Sequence, residues 1–266
     1  MPRITYCSLI IAGLLLPMSK VNAENSFEDI RFVTGLSFGF STFSFPEKLD
    51  HDISFPSTNL ALVATQDRWQ LSLNGGFTLE DATISEEEDI GKASRSDIDL
   101  TLAYQATKQW AFFAGYKSGK TKMRFVERDI EDEDEVEYVN ESYSQKGPFI
   151  GGSYSWQFES AGRLSISLAY AYLNATNNFA ANTDDDEEEG EDEEELEFDD
   201  LTGRVEGDIT GLSYGVAWTM PLSSNLLFQT RLKLNDYQQD IKFEGTRFKD
   251  IDENFTTLHV GLAYVF

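Results

Sequence analysis

Leu258-His259-Val260-Gly261-Leu262-Ala263-Tyr264-Val265-Phe266 closes the chain, and its reading decides the fold. Side chains alternate along an extended strand, so Leu258, Val260, Leu262, Tyr264 and Phe266 share one face. His259 lies on the opposite face. A continuous apolar face that ends on an aromatic ring suits a strand whose outside meets lipid and whose end sits at the interface. The stretch predicts a closed, antiparallel transmembrane β-barrel rather than a soluble sheet.

The same alternation recurs through the chain. Leu36, Phe38 and Phe40 alternate with Gly35, Ser37, Gly39 and Ser41. Leu60, Leu62 and Ala64 mark a second strand, and Trp69, Leu71, Leu73, Phe77 and Leu79 a third. Ile98 to Tyr104, Trp110 to Tyr116, Ile150 to Trp156 and Leu164 to Tyr172 follow, then Leu212 to Trp218 and Leu226 to Leu234. With the terminal strand they make about ten, near the length of one crossing each. Eight or twelve stay open, because Ile150 to Trp156 alternates poorly and strand ends are hard to place. Short turns near 66, 108, 159 and 223 interleave with longer polar loops near 46–57, 81–95, 118–142, 177–206 and 243–253. In this architecture short turns are periplasmic and long loops extracellular, so both termini are periplasmic. Trp69, Trp110, Trp156 and Trp218 all lie near a short turn, as an interfacial girdle requires.

The terminal strand, with Leu262, Tyr264 and Phe266 on its outer face, resembles the C-terminal strand of bacterial outer-membrane β-barrel proteins. That resemblance implies a porin-like superfamily architecture, the outer membrane of a Gram-negative bacterium, and recognition of these three residues by the barrel-assembly machinery. Lipid and lipopolysaccharide are then the surroundings. At the other end, Arg3 precedes the apolar run Cys7 to Pro17, and Val21-Asn22-Ala23 offers small residues before Glu24. This is the pattern of a secretory signal peptide over 1–23, leaving a barrel domain over 24–266. The single cysteine falls inside the signal, so the mature chain has no disulfide or thiol chemistry.

The net charge of −26 is concentrated: Asp184 to Asp200 hold 14 Asp or Glu and no Lys or Arg. Such a charge excludes nucleic acid as a partner, because phosphates are repelled. Like-charge runs are solvated loops, and 183–200 reads as a disordered one. Shorter acidic runs stand at Glu86 to Asp89, at Glu131 to Glu135 and at Asp250, Asp252 and Glu253. Carboxylates suit hard cations. Asp184, Asp185, Asp186, Glu187, Glu188, Glu189, Glu191 and Asp192 are therefore candidates for weak Ca²⁺ or Mg²⁺ association, although no metal-binding loop motif is encoded. No specific metal and no cofactor is expected.

The inward faces are mostly Gly, Ser, Ala and Thr, which predicts free, water-filled lumen space. The inward charges Asp97, Asp99, Arg163, Arg231 and Lys233, with His259, are expected to pair with one another as a lumen network. Catalysis reads as absent. The ten-stranded omptin proteases use an Asp pair and an Asp-x-His pair at the outer rim; Asp97-x-Asp99 superficially matches the first, but neither His51 nor His259 completes the second. The expectation is a small porin-like or structural barrel, cation-favouring if it conducts. A surface protein binding basic partners or divalent cations through its acidic loops is the alternative, and an outer-membrane hydrolase a weaker one. Solute and oligomeric state are not encoded.

Overall fold

A β-crossing of the hydrocarbon layer takes about 9–11 residues, yet most strands of this chain run well past that length. The computed structural model describes residues 30–45, 52–86, 89–126, 138–159, 161–179, 202–243 and 245–266. The signal-peptide segment 1–23, His51, Glu131 to Glu135 and the acidic run Asp184 to Asp200 lie outside these residues. The strands are β1 (Arg31–Ser44), β2 (Ile53–Gln66), β3 (Trp69–Thr78), β4 (Ala82–Glu86), β5 (Asp89–Gln105), β6 (Trp110–Val126), β7 (Tyr138–Phe158), β8 (Gly162–Phe179), β9 (Gly203–Pro221), β10 (Leu226–Phe243) and β11 (Thr246–Val265).

Each pairs antiparallel with its sequence neighbour, and β1 pairs with β11 from Val33↔Val265 to Ser44↔Asn254. β3 and β4 form one stave, because both pair with β5. Between them Thr78 to Asp81 oppose Ser94 and Arg95 alone, an irregularity that bends the wall as a bulge does. The β3–β5 pairing closes the ring, so the sheet is an all-β barrel of ten staves. Closure matters in lipid, where an unpaired backbone edge costs several kcal/mol per group.

The apolar residues read from the sequence form an exposed outer band: Leu36 to Phe40, Leu71 to Phe77, Ile98 to Leu102, Ile166 to Tyr172 and Leu258 to Phe266 all project outward on alternate positions. The four tryptophans are exposed at the short-turn end. There Trp69 packs on Tyr104 and Trp110 on Tyr154, at ring-centroid separations of 4.8 and 4.9 Å. Tyr264 and Phe266 meet at 5.0 Å.

Beyond the band the pattern inverts. Phe40 points out, but Phe43 and Phe45 point in; Leu60 points out, but Ile53 and Phe55 point in. Tyr172 gives way to Leu173 and Phe179, and Leu212 to Ile209 and Val205. The reason is solvent. Within the bilayer the outer face meets lipid, whereas above it the outer face meets water and apolar side chains are driven inside. Phe43, Phe45, Ile53, Phe55, Met123 and Phe125 head a buried cluster that fills this outer part of the lumen, joined by Tyr143, Phe179, Ile241, Ile251 and Phe255. A second cluster, Leu173, Ile209 and Tyr237 with Phe149 against it, lies beside it.

Two expectations are corrected. The long loops are shorter than the polarity of their residues suggests: β4 and β5 occupy most of 81–95, and β10 and β11 reach Phe243 and Thr246 across 243–253. The lumen is not lined throughout by small residues. Small residues line its periplasmic half, and a packed apolar core occupies its extracellular half.

Candidate functional site: the lumen

Beneath the apolar core lies a cavity of about 90 Å³, lined in part by Arg95, Asp97, Asp99, Lys117, Arg231, Lys233 and His259. Five of the six residues expected in a lumen network therefore meet here. Arg163 does not. It sits one register step from the β7–β8 turn and donates to Ser155 Oγ at 2.9 Å.

The pairing differs from expectation. Asp97 is held by a residue the sequence reading placed in a loop: Arg95 Nε and Nη2 each donate to an Asp97 oxygen at 3.0 Å. Two residues apart on β5, both point inward, and the planar guanidinium matches the carboxylate in a two-point bond. Arg95 is nearly fully buried, donates also to Thr121 Oγ1 at 2.9 Å, and lies 3.9 Å from the Phe255 ring centroid and 5.2 Å from that of Phe43. It is the joint between the charged cavity and the apolar core. Asp99 accepts from Asn74 Nδ2 at 2.9 Å and from Thr101 Oγ1 at 3.4 Å. Lys117, also buried, donates to the Tyr237 hydroxyl and lies 4.3 Å from that ring.

His259 bonds Ser57 Oγ through Nε2 at 2.8 Å, and Ser57 bonds Ser41 Oγ at 2.8 Å. Gly39 makes room for the imidazole, since a Cβ there would fall 2.7 Å from His259 Cδ2 and 1.8 Å from Leu258 O. The chain Ser41–Ser57–His259 has the pairing of a nucleophile with a base. Among the described residues no hydrogen bond joins its imidazole to a carboxylate, the usual orienting third member.

Arg95, Lys117, Tyr237 and Glu253 are functional residues the sequence reading missed. Glu253, placed there in an exposed acidic loop, is buried on the inward face of β11 beside Phe255. Strand parity was the available signal: Arg95 is two before Asp97, and Lys117 follows Gly115 in phase. Leu262, Tyr264 and Phe266 face outward and exposed as expected. The candidate cation residues Asp184 to Asp192 lie outside the described residues. Among the described residues no group of three or more His, Cys, Asp or Glu is placed to hold a metal.

A closed ten-stave barrel with a lipid-facing apolar band, an aromatic girdle at its short-turn end and a charged interior defines an integral outer-membrane β-barrel protein. No family model matches the chain, and no curated protein does. Among solved structures it is similar to the outer membrane protease OmpT from Escherichia coli, at 13% identity and a TM-score of 0.49, covering 91% of this chain and 99% of that one. It is also similar to the translocator domain of the autotransporter NalP from Neisseria meningitidis (11%, TM-score 0.46, 91% and 90% covered). A third is Ail, the attachment invasion locus protein of Yersinia pestis (11%, TM-score 0.39, 90% and 99%).

Proposed function

We propose that this protein is a closed, non-catalytic stem in the outer membrane that presents acidic loops at the cell surface to basic partners or divalent cations. The observation that carries this reading is the apolar core in the extracellular half of the lumen, where Phe43, Phe45, Phe55, Leu173, Ile209 and Ile241 are fully buried. A conducting pore needs a continuous wet path. Side chains at close packing leave none, and dehydrating an ion across such a segment is prohibitive. The porin-like alternative therefore has its observation in the lower lumen alone.

The staves support display. β6 to β11 run 17 to 21 residues, so they rise above the membrane as a collar, and the run Asp184 to Asp200 falls in the sequence between β8 and β9. The charge of that run suits association with cations and with lipopolysaccharide phosphates bridged by them. The non-catalytic reading is supported by Asp97, whose two oxygens are engaged by Arg95.

Deleting residues 184–200 tests the reading. Binding of Ca²⁺ and of polylysine to the refolded barrel should fall several-fold while its folding is unchanged. Binding equal to that of the full chain refutes the display role.

A further inference from the structure

The lower half of the lumen carries charges that the wall does not neutralise. Asp97 is paired with Arg95, whereas Asp99 accepts from the neutral Asn74 amide and keeps its charge, and Lys117 donates to the neutral Tyr237 hydroxyl. Arg231 and Lys233 remain. Among the described residues neither has a carboxylate within 4.0 Å or a hydrogen bond to its side chain. They stand two residues apart on β10, so their side chains share the inward face at a spacing of roughly 6.6 Å along the strand.

This pair is reachable. Arg231 points inward yet is exposed; of the inward residues nearer the short turns, Ala61, Ala103, Ser153, Ala217 and Gly261 are half-buried, while Ser72, Ser155 and Ala263 are buried against the wall. The apolar core closes the opposite end. The lower lumen is thus a blind vestibule whose mouth faces the periplasm, with the cavity of about 90 Å³ at its head.

We infer that this vestibule binds a small soluble oxyanion, a phosphate or a short carboxylate, between Arg231 and Lys233. Four basic residues (Arg95, Lys117, Arg231, Lys233) against two carboxylates (Asp97, Asp99) line the cavity, and the buried Glu253 beside Phe255 is a third, so basic residues stay in excess by one inside a chain whose net charge is −26. The anion enters from the periplasmic side. The Arg231 guanidinium offers a planar fork to two oxygens of the ligand, and the Lys233 ammonium a second positive contact. Thr257, opposite Lys233, and Asn235, two residues further along β10, add neutral donors around the same space. The volume suits several waters or one such anion. A wall of low dielectric strengthens each contact relative to bulk water.

Titration calorimetry of the refolded barrel in uncharged micelles, with inorganic phosphate and separately with succinate at constant ionic strength, tests this. One saturable site for either probe is expected. Arg231→Gln with Lys233→Gln should weaken it at least tenfold, whereas Arg163→Gln, nearer the mouth and bonded to Ser155, should leave it unchanged. If the double variant does not refold, the wild-type thermal midpoint gives the answer, since a ligand of the folded state raises it. No saturable uptake and no shift of the midpoint by either anion overturns the inference. So does a folded double variant that binds like wild type.

Discussion

Arg95 and Asp97 are bound to each other by two hydrogen bonds of 3.0 Å across a two-residue spacing on one strand, with the guanidinium closed over by the Phe255 ring at 3.9 Å. The pair sits where the wet lumen ends and the apolar core begins. Removing one partner of a buried charge pair leaves the other uncompensated. Arg95→Ala should therefore destabilise the barrel, by less than the roughly 3–5 kcal/mol of a fully buried pair because the Asp97 side chain is 33% exposed. Arg95→Ala with Asp97→Ala should recover part of the loss. Guanidinium unfolding in micelles, followed by tryptophan fluorescence, measures both.

The core of the outer lumen should behave like that of a soluble protein. Phe43→Ala and Phe55→Ala, each removing a fully buried ring, are expected to cost about 3–5 kcal/mol apiece. Phe40→Ala, on the lipid face of the same strand as Phe43, should cost less, because lipid replaces the lost ring without leaving a cavity. Unfolding midpoints of the three variants rank them.

Within the outer lumen Gln239 is fully buried, and among the described residues neither of its amide atoms has a hydrogen-bond partner. An unsatisfied buried polar group costs about 1–3 kcal/mol. Gln239→Leu, close in volume, should leave stability unchanged or raise it by about 1 kcal/mol. A fall of the unfolding midpoint after this change would show that the amide is bonded.

At the tip of the β10–β11 hairpin, beyond the lipid-facing band, the Asp250 N–H donates to Asp240 at 3.2 Å and Arg247 to the same carboxylate at 2.6 Å. These contacts, the backbone one first, hold the Asp240 carboxyl below its ordinary value. A carboxylate depressed in the folded state stabilises above its unfolded pKa, near 3.8, and loses that contribution as pH falls through the folded one. The hairpin tip should open first in acid. Protection factors at 246–250 should fall below about pH 4, and Asp240→Asn should lower them to the same level at pH 6.

The membrane-embedded part of this fold was legible because lipid imposes one rule on every strand: Leu258 to Phe266 and Trp69 to Phe77 read as strands without ambiguity. The collar was hidden for the same reason. Asp252, Asn254 and Thr256 face water on the outside of β11 while Ile251 and Phe255 face the core, and a search for outward apolar residues reads that stretch as a loop. An inversion such as Phe40 to Phe43 is the trace the collar leaves in the sequence. The lumen charges were found where they lie opposite the lipid band, as with Asp97, Asp99, Arg231 and Lys233. They were lost above it, as with Arg95 and Glu253. That Arg95 and not Arg231 binds Asp97 follows from their sharing one face of β5 two residues apart, a proximity hidden once Arg95 is read as part of a loop.

Conductance across a planar bilayer tests the central claim, that the extracellular half of the lumen is sealed. The wild-type barrel, inserted and verified as folded, should give no sustained steps in molar KCl. A variant with Phe43, Phe55 and Phe255 all changed to Ala should conduct. Steady, reproducible wild-type channels would contradict the account and return the protein to the porin-like class.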